Sequence, residues 1–378
     1  MPTKKLIYLD AQNVSRLSAG TSIPLVSVIK QKFDVCLSAT HYLEAVPKQA
    51  SDFPLAQGRL IFIRDQPDKI FMPWHALLKA EFENLKGKNI DLFVDRKNII
   101  GDLVGPFKMG DIVRRFKDSL NSQIATIGNR PMRRKLRSHL VRRGKISPAL
   151  FDMLESIRQE QVEKAKSYPA VVPVLNAIFD VAVGKRTEDA ANNALLELLS
   201  DPEGMCSASL YSEVDDVFGF REILWEQSDQ LRGRIQPIVD SILQNTGAFG
   251  EEFFKEVKKG IASQLKEIRF LAEIASILID EQVGERDVLD LPGTSLFVRQ
   301  IMLIARNKIE TYGNPKSPDF GRPVKIDRGD FADLTHTIYA PYVDLFCCDN
   351  ATKARLRHLG YTQAICVTES DIMREIAV

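Results

Sequence analysis

The chain has no Cys-x-x-Cys pair, no Gly-x-x-x-x-Gly-Lys-Ser/Thr loop and no uncharged apolar run of about 18 residues. The last absence excludes a membrane-spanning helix and the second argues against nucleotide hydrolysis. The five cysteines are an odd number, and three of them (Cys36, Cys347 and Cys366) sit in short strand-like apolar runs. They read as reduced, mostly buried thiols, which points to a cytoplasmic protein. The apolar stretch before Asp10 is too short for a signal peptide. Neither sign of charge is in excess: 51 basic minus 50 acidic residues leaves +1. Any contact with nucleic acid must therefore come from a local patch. No repeat period runs along the sequence, which excludes a solenoid.

What is present is an ordinary globular composition, 44% hydrophobic and 27% charged, over 378 residues. That length suits two to three domains, or one domain with a large insertion. Residues 5–10 read as a buried strand. Helical spacing follows over Ile23 to Phe33, then a strand over Asp34 to Ser38 and a helix carrying His41 and Glu44. Arg59 to Arg64 and Lys69 to Met72 read as two strands, followed by a helix after Pro73 and a strand over Ile90 to Asp95. From about 110 to 285 the pattern is helical, with a long segment over 251–280. The last hundred residues return to alternating helix and strand, with strands at Asp344 to Cys348 and Thr362 to Val367. The expected class is α/β. Residues 1–48 and 289–378 together would form one three-layer domain around a parallel sheet. Residues 49–288 would be a mostly helical insertion that begins with a mixed α/β extension over 49–105.

Carboxylates punctuate this pattern. Asp10 ends the first apolar run and Asp349 ends the run Leu345 to Cys348, while Glu44 and Asp333 fall on helices. Acids at the carboxyl ends of parallel strands are placed where such sheets build their sites. Four carboxylates carry −4 and repel one another unless cations neutralise them. Two divalent ions would balance them, and such a pair can activate water and stabilise a leaving phosphodiester oxygen. Asp344 reads instead as the start of its strand, Asp330 as a helix cap and Glu81 as a surface acid.

The segments Tyr8-Leu-Asp10-Ala-Gln-Asn13, Ser38-Ala-Thr-His41-Tyr-Leu-Glu44 and Asp333-Leu-Thr-His336, with Tyr342-Val-Asp344-Leu-Phe-Cys-Cys-Asp349, resemble the PIN-domain nucleases. The spacings agree: 34 residues from Asp10 to Glu44 and 16 from Asp333 to Asp349. The resemblance covers about 140 of the 378 residues and implies a PIN-like fold. It further implies that Asp10, Glu44, Asp333 and Asp349 hold Mg²⁺ or Mn²⁺ and are the catalytic acids. Asn13, Ser38, His41, His336 and Cys348 would support them by hydrogen bonding. Two features depart from the family: 289 residues separate Glu44 from Asp333, and Cys348 stands where Thr or Ser is usual.

Arg130 to Lys145 contains eight Lys or Arg and no acid in sixteen residues: Arg130, Arg133, Arg134, Lys135, Arg137, Arg142, Arg143 and Lys145. On a helix they would give a positive face suited to phosphates. The expected activity is that of a metal-dependent endonuclease, with single-stranded RNA favoured by the resemblance. A structure-specific DNA nuclease is one alternative; a catalytically degenerate nucleic-acid-binding or assembly protein is the other. The basic run meeting an acidic inhibitor protein and the apolar helical stripes forming a homo-oligomer are further expected partnerships. No membrane association is expected.

Overall fold

Strand β1 (Lys5–Leu9) becomes progressively more buried along its length, and alternation sends Tyr8 to one face and Ile7 and Leu9 to the other. The computed structural model describes residues 4–19, 23–95, 124–126, 128–134, 148–214, 232–233, 236–237, 239–241, 243–245, 250–260, 267–320, 322 and 328–377. After β1 come helices α1 (Ala11–Leu17) and α2 (Ile23–Lys32), strand β2 (Phe33–Ser38) and helix α3 (Ala39–Ala45). Helix α4 (Phe53–Asp65), strand β3 (Lys69–Phe71), helix α5 (Trp74–Leu85) and the short strand β4 (Phe93–Val94) follow.

Four helices come next: α6 (Pro148–Lys164), α7 (Val172–Ala182), α8 (Glu188–Ser200) and α9 (Pro202–Val214). The C-terminal part contains α10 (Ile268–Ile279), α11 (Pro292–Tyr312), α12 (Arg328–Thr337), β5 (Leu345–Cys347), α13 (Asn350–His358), β6 (Ala364–Cys366) and α14 (Glu369–Ala377).

The chain is an α/β protein whose six strands form one sheet in the order β4-β3-β2-β1-β5-β6. All neighbours are parallel except β3 and β4. The short runs Leu-Phe-Cys and Ala-Ile-Cys are almost wholly buried, as strands covered by helices on both faces must be. Tyr8 stacks on Phe346 and Tyr339 with ring centroids 5.3 Å apart in both pairs. This aromatic centre joins Phe71, Leu77 of α5, Leu271 of α10, Phe297 of α11 and Leu334 of α12 in one core. Helices α1, α2 and α14 pack on β1, β2 and β6.

By compactness the chain divides into Met1–Ala45, Phe62–Asp95 and Leu224–Val378 on one hand, and Val46–Ile61 and Arg96–Ile223 on the other. The first unit is larger than the sequence suggests. It draws β3 and β4 from the expected extension, and α10 from the expected insertion.

Three expectations on elements are corrected. Arg59–Arg64 lies inside α4 rather than in a strand: Ala56, Leu60 and Ile63, at spacings of four and three, are buried together with Phe62, while Ile61 is exposed. The helix foreseen over 251–280 is helical at 250–260 and again in α10, whose preceding residue Glu267 has extended backbone. The strand over Ile90 to Asp95 shrinks to the two residues of β4.

In the second unit, α6 packs on α7, α7 on α8 and α8 on α9. Thr187 caps α8, accepting from the Ala190 amide at 3.3 Å. Gly204 permits the close α8–α9 approach, because a Cβ there would lie 2.2 Å from the Leu198 carbonyl oxygen.

Candidate active site at the strand tips

The chain leaves β1 towards β2 and β3 on one side, and β5 and β6 lie on the other. The order therefore reverses between β1 and β5, where a parallel sheet opens its crevice at the carboxyl ends of its strands. Leu9 is in register with Cys347, and the Asp10 amide donates to the Cys347 carbonyl at 3.0 Å. Asp10 and Asp349 thus stand on adjacent strand tips. Each is also the N-cap of the next helix, since Asp, which accepts from free amides, readily ends a strand and starts a helix. Asp10 is 9% exposed, and its Oδ1 accepts from both the amide and the side-chain Nδ2 of Asn13, each at 2.8 Å. Asp349 accepts from the Thr352 amide at 2.5 Å. Burial pushes the Asp10 carboxyl above its ordinary pKa; the Asn13 bonds oppose that, and the Asp349 charge adds to it.

The two helix-borne acids meet basic or imidazole partners. Asp333 on α12 accepts from Arg355 of α13 at 3.0 Å, and the same guanidinium nitrogen donates to Thr352 Oγ1 at 2.8 Å. Burial raises the pKa of Asp333, Arg355 pulls it down and Asp349 pushes it up. Glu44 on α3 is hydrogen-bonded to Nε2 of His336 on α12. Burial disfavours a charged His336, yet Glu44 first, then Asp10 and Asp333, outweigh it and raise its pKa.

From His336 a chain of buried hydrogen bonds runs back to β1. His336 Nδ1 meets the Tyr8 hydroxyl at 2.7 Å, and that hydroxyl meets Ser38 Oγ at 2.9 Å. The Ser38 amide donates to His41 Nδ1 at 3.0 Å, so the proton of His41 sits on Nε2 and is donated to the Leu9 carbonyl at 2.6 Å. Burial and the neighbouring His336 hold His41 well below the usual histidine pKa, hence neutral.

The supporting residues expected from sequence are therefore in contact with the acids or with one another: Asn13 with Asp10, and Ser38, His41 and His336 in the chain above. Cys348 is buried, donates its amide to the Cys366 carbonyl at 3.0 Å and has its thiol pKa raised by burial and by the Asp10 and Asp349 charges. All five cysteines are free and buried.

The fit of this site to a divalent ion divides. Asp10 and Asp349 offer hard oxygen donors on adjacent tips, the chemistry Mg²⁺ and Mn²⁺ require. Glu44 and Asp333 are already engaged elsewhere. Among the described residues no three His, Cys, Asp or Glu side chains gather into a group able to hold a metal ion.

Sequence reasoning missed Tyr8, read only as an apolar strand residue, and Arg355. The latter is six residues beyond Asp349, one face-turn past Thr352 on α13, a spacing that would have found it. Glu81, expected on the surface, is buried at 6% exposure for reasons taken up below.

In the basic run, residues 130–134 are helical and start on Asn129, whose Oδ1 accepts from the Met132 amide at 3.2 Å. Arg130 and Arg134 are exposed, and Arg133 donates to the Ala125 carbonyl at 3.3 Å. Lys135, Arg137, Arg142, Arg143 and Lys145 lie outside the described residues.

Comparison of the chain with protein-family models, curated proteins and solved structures finds no match. Among the described residues no helix is long and apolar enough to cross a membrane.

Proposed function

We propose that this protein is a PIN-like, metal-dependent endonuclease that hydrolyses phosphodiesters, with single-stranded RNA as the favoured substrate. The observation that carries the reading is the pair of carboxylates, Asp10 and Asp349, at the reversal point of a parallel sheet, each raising the cost of negative charge on neighbouring groups. Asp10 and Asp349 would hold Mg²⁺ or Mn²⁺, with Asp333 beside them. A divalent ion, when bound, supplies charge for the phosphodiester and an activated water. The chain's own contribution is positional. Asn13 orients Asp10, the Thr352 amide orients Asp349, and Arg355 braces Asp333 through one guanidinium nitrogen that also bonds Thr352. Arg130, Arg133 and Arg134, with the rest of the basic run, would supply salt-dependent affinity for the nucleic-acid backbone.

The test is incubation of wild type and of Asp10→Asn/Asp349→Asn with labelled single-stranded RNA in Mn²⁺, Mg²⁺ or EDTA. Metal-dependent cleavage that disappears in the double variant is the expected result. Parallel single-stranded and flap DNA substrates separate the DNA-nuclease alternative. The engagement of Glu44 by His336 and of Asp333 by Arg355 favours a second reading, a catalytically degenerate PIN-like protein that binds nucleic acid or serves assembly. Salt-dependent RNA binding without cleavage of any substrate would select it.

A further inference from the structure

Glu44 sits in the order and spacing of an acid that binds metal, but its surroundings assign it other work. We infer that Glu44 is the anchor of a buried hydrogen-bonded chain, Glu44–His336–Tyr8–Ser38–His41, which positions the tip of β1, and that the acids left over take one divalent ion rather than two. The inference rests on the metal-dependent reading above.

Three observations carry it. First, every link behind Glu44 lies within the fold's interior: His336 is 4% exposed, Tyr8 and Ser38 are fully buried and His41 is 1% exposed, while the half-buried Glu44 closes the chain at its outer end. Drawing Glu44 away to a metal would leave a buried imidazole N–H without an acceptor, which interiors strongly disfavour. Second, the chain ends on the Leu9 carbonyl, one residue before Asp10, whose own amide is tied to Cys347. Hydrogen bonds behind a ligand fix its orientation, and their loss typically costs about 10–100-fold in metal affinity. Third, Asp333 is held by Arg355, so of the four candidate acids Asp10 and Asp349 are those with no ion pair or imidazole bond among the described residues. Their joint charge of −2 matches a single divalent ion. Asn13, Tyr8, Ser38, His41 and Glu44 are thus positioning residues.

The experiment is calorimetric titration of the full-length chain with Mn²⁺, accompanied by thermal unfolding of every variant to show that each is folded. Wild type is expected to take up one Mn²⁺ per chain. Asp10→Asn should weaken binding by at least about 30-fold. Glu44→Gln keeps an acceptor oxygen for His336 and should bind within about threefold of wild type. Glu44→Ala and Tyr8→Phe break the chain and should each weaken Mn²⁺ about tenfold. Recovery of affinity on going from Glu44→Ala to Glu44→Gln is the signature of positioning. Two ions per chain, a loss in Glu44→Gln equal to that in Asp10→Asn, or an unchanged Tyr8→Phe would overturn the inference while RNA cleavage by wild type still upheld the nuclease reading. A wild type that neither takes up Mn²⁺ nor cleaves would overturn both.

Discussion

Replacing Glu81 with alanine should destabilise the sheet-containing unit more than any single change at the strand tips. The side chain reaches from α5 to the start of α11 and accepts from the Gly293 and Thr294 amides, both at 2.8 Å. It also accepts from Thr294 Oγ1 at 2.6 Å and from the Tyr342 hydroxyl. Leu291, the residue before α11, provides no side-chain cap, so a carboxylate from another helix satisfies the free amides of the first turn. Gly293 permits the approach: a Cβ would lie 2.9 Å from the Ile338 carbonyl oxygen and 3.0 Å from the Tyr342 ring.

Orphaning a buried donor costs ~1–3 kcal/mol. The two hydroxyls can rotate towards other acceptors, whereas the two amides cannot, so the amides dominate at ~2–6 kcal/mol. Burial raises the Glu81 pKa despite these bonds, so the carboxylate also pays for desolvation, and its removal returns part of that cost. The net expectation for Glu81→Ala is a loss of ~2–4 kcal/mol, with Glu81→Gln intermediate because one acceptor oxygen remains. Guanidinium unfolding gives the magnitude, and hydrogen exchange of a peptide spanning the start of α11 localises it. A loss below ~0.5 kcal/mol, with exchange unchanged, would refute the reasoning. The pH dependence has a definite sign. A carboxyl raised in the fold contributes stability that is present below its unfolded pKa and lost as pH rises through the folded value. The advantage of wild type over Glu81→Gln should therefore shrink as pH rises from about 4.

The same junction predicts that Gly293→Ala will cost ~1–3 kcal/mol by overpacking, measured by the same unfolding assay. The two buried histidines should move stability in opposite directions. His41, depressed by burial, contributes stability that is present above about pH 6.5 and lost as pH falls, by up to ~1.4 kcal/mol per pH unit. His336, raised chiefly by Glu44 against its burial, contributes stability present below about pH 6.5 and lost as pH rises through its folded pKa. Ring-carbon NMR titration of the two histidines would separate them, and a single common midpoint near the free value would contradict both assignments.

The parts of this architecture that were legible in the sequence are those written locally. An apolar run that stops on a carboxylate defines β1 with Asp10 and β5 with Asp349, because the acid both leaves the core and caps the next helix. Helical spacing in the three helices α6 to α8 was equally direct, whereas α9 was not among the segments it marked. Leu60-Ile-Phe-Ile63 misled because four consecutive apolar residues suit a strand or a helix, and only the burial of Ala56, Leu60 and Ile63 decides between them. Membership of the sheet was hidden for β3 and β4, three and two residues long, since pairing depends on partners distant in sequence. The pairing of Glu44 with His336 spans 292 residues and that of Asp333 with Arg355 spans 22. Spacing along the chain placed the acids correctly on their elements, but tertiary packing determines which way each carboxylate turns.

Asn13 offers the sharpest view of how the fold tunes Asp10. It is 2% exposed and delivers two N–H groups to the same oxygen, Oδ1, while Oδ2 has no hydrogen-bond donor among the described residues. The two groups are separable, because Asn13→Ala removes the side-chain bond and retains the amide of α1. Both bonds favour the charged carboxylate, while burial and the Asp349 charge favour the neutral one. Losing one of the two favourable contributions must raise the Asp10 pKa further, since burial and Asp349 are unchanged. A hydrogen bond to a charged acceptor is worth ~1.5–3 kcal/mol, so the capped start of α1 should also weaken by about 1 kcal/mol after partial replacement by water. For a nuclease that needs ionised Asp10, the acidic limb of its cleavage profile should move to higher pH in Asn13→Ala, with activity recovered once Asp10 is ionised. Carboxyl-carbon NMR of Asp10 in wild type and variant follows the same titration without relying on cleavage. An acidic limb and an Asp10 midpoint that both stay where they were in wild type would mean that the backbone amide alone sets the charge of this carboxylate. Asn13 would then be a buried first-turn residue of α1 with no part in the site.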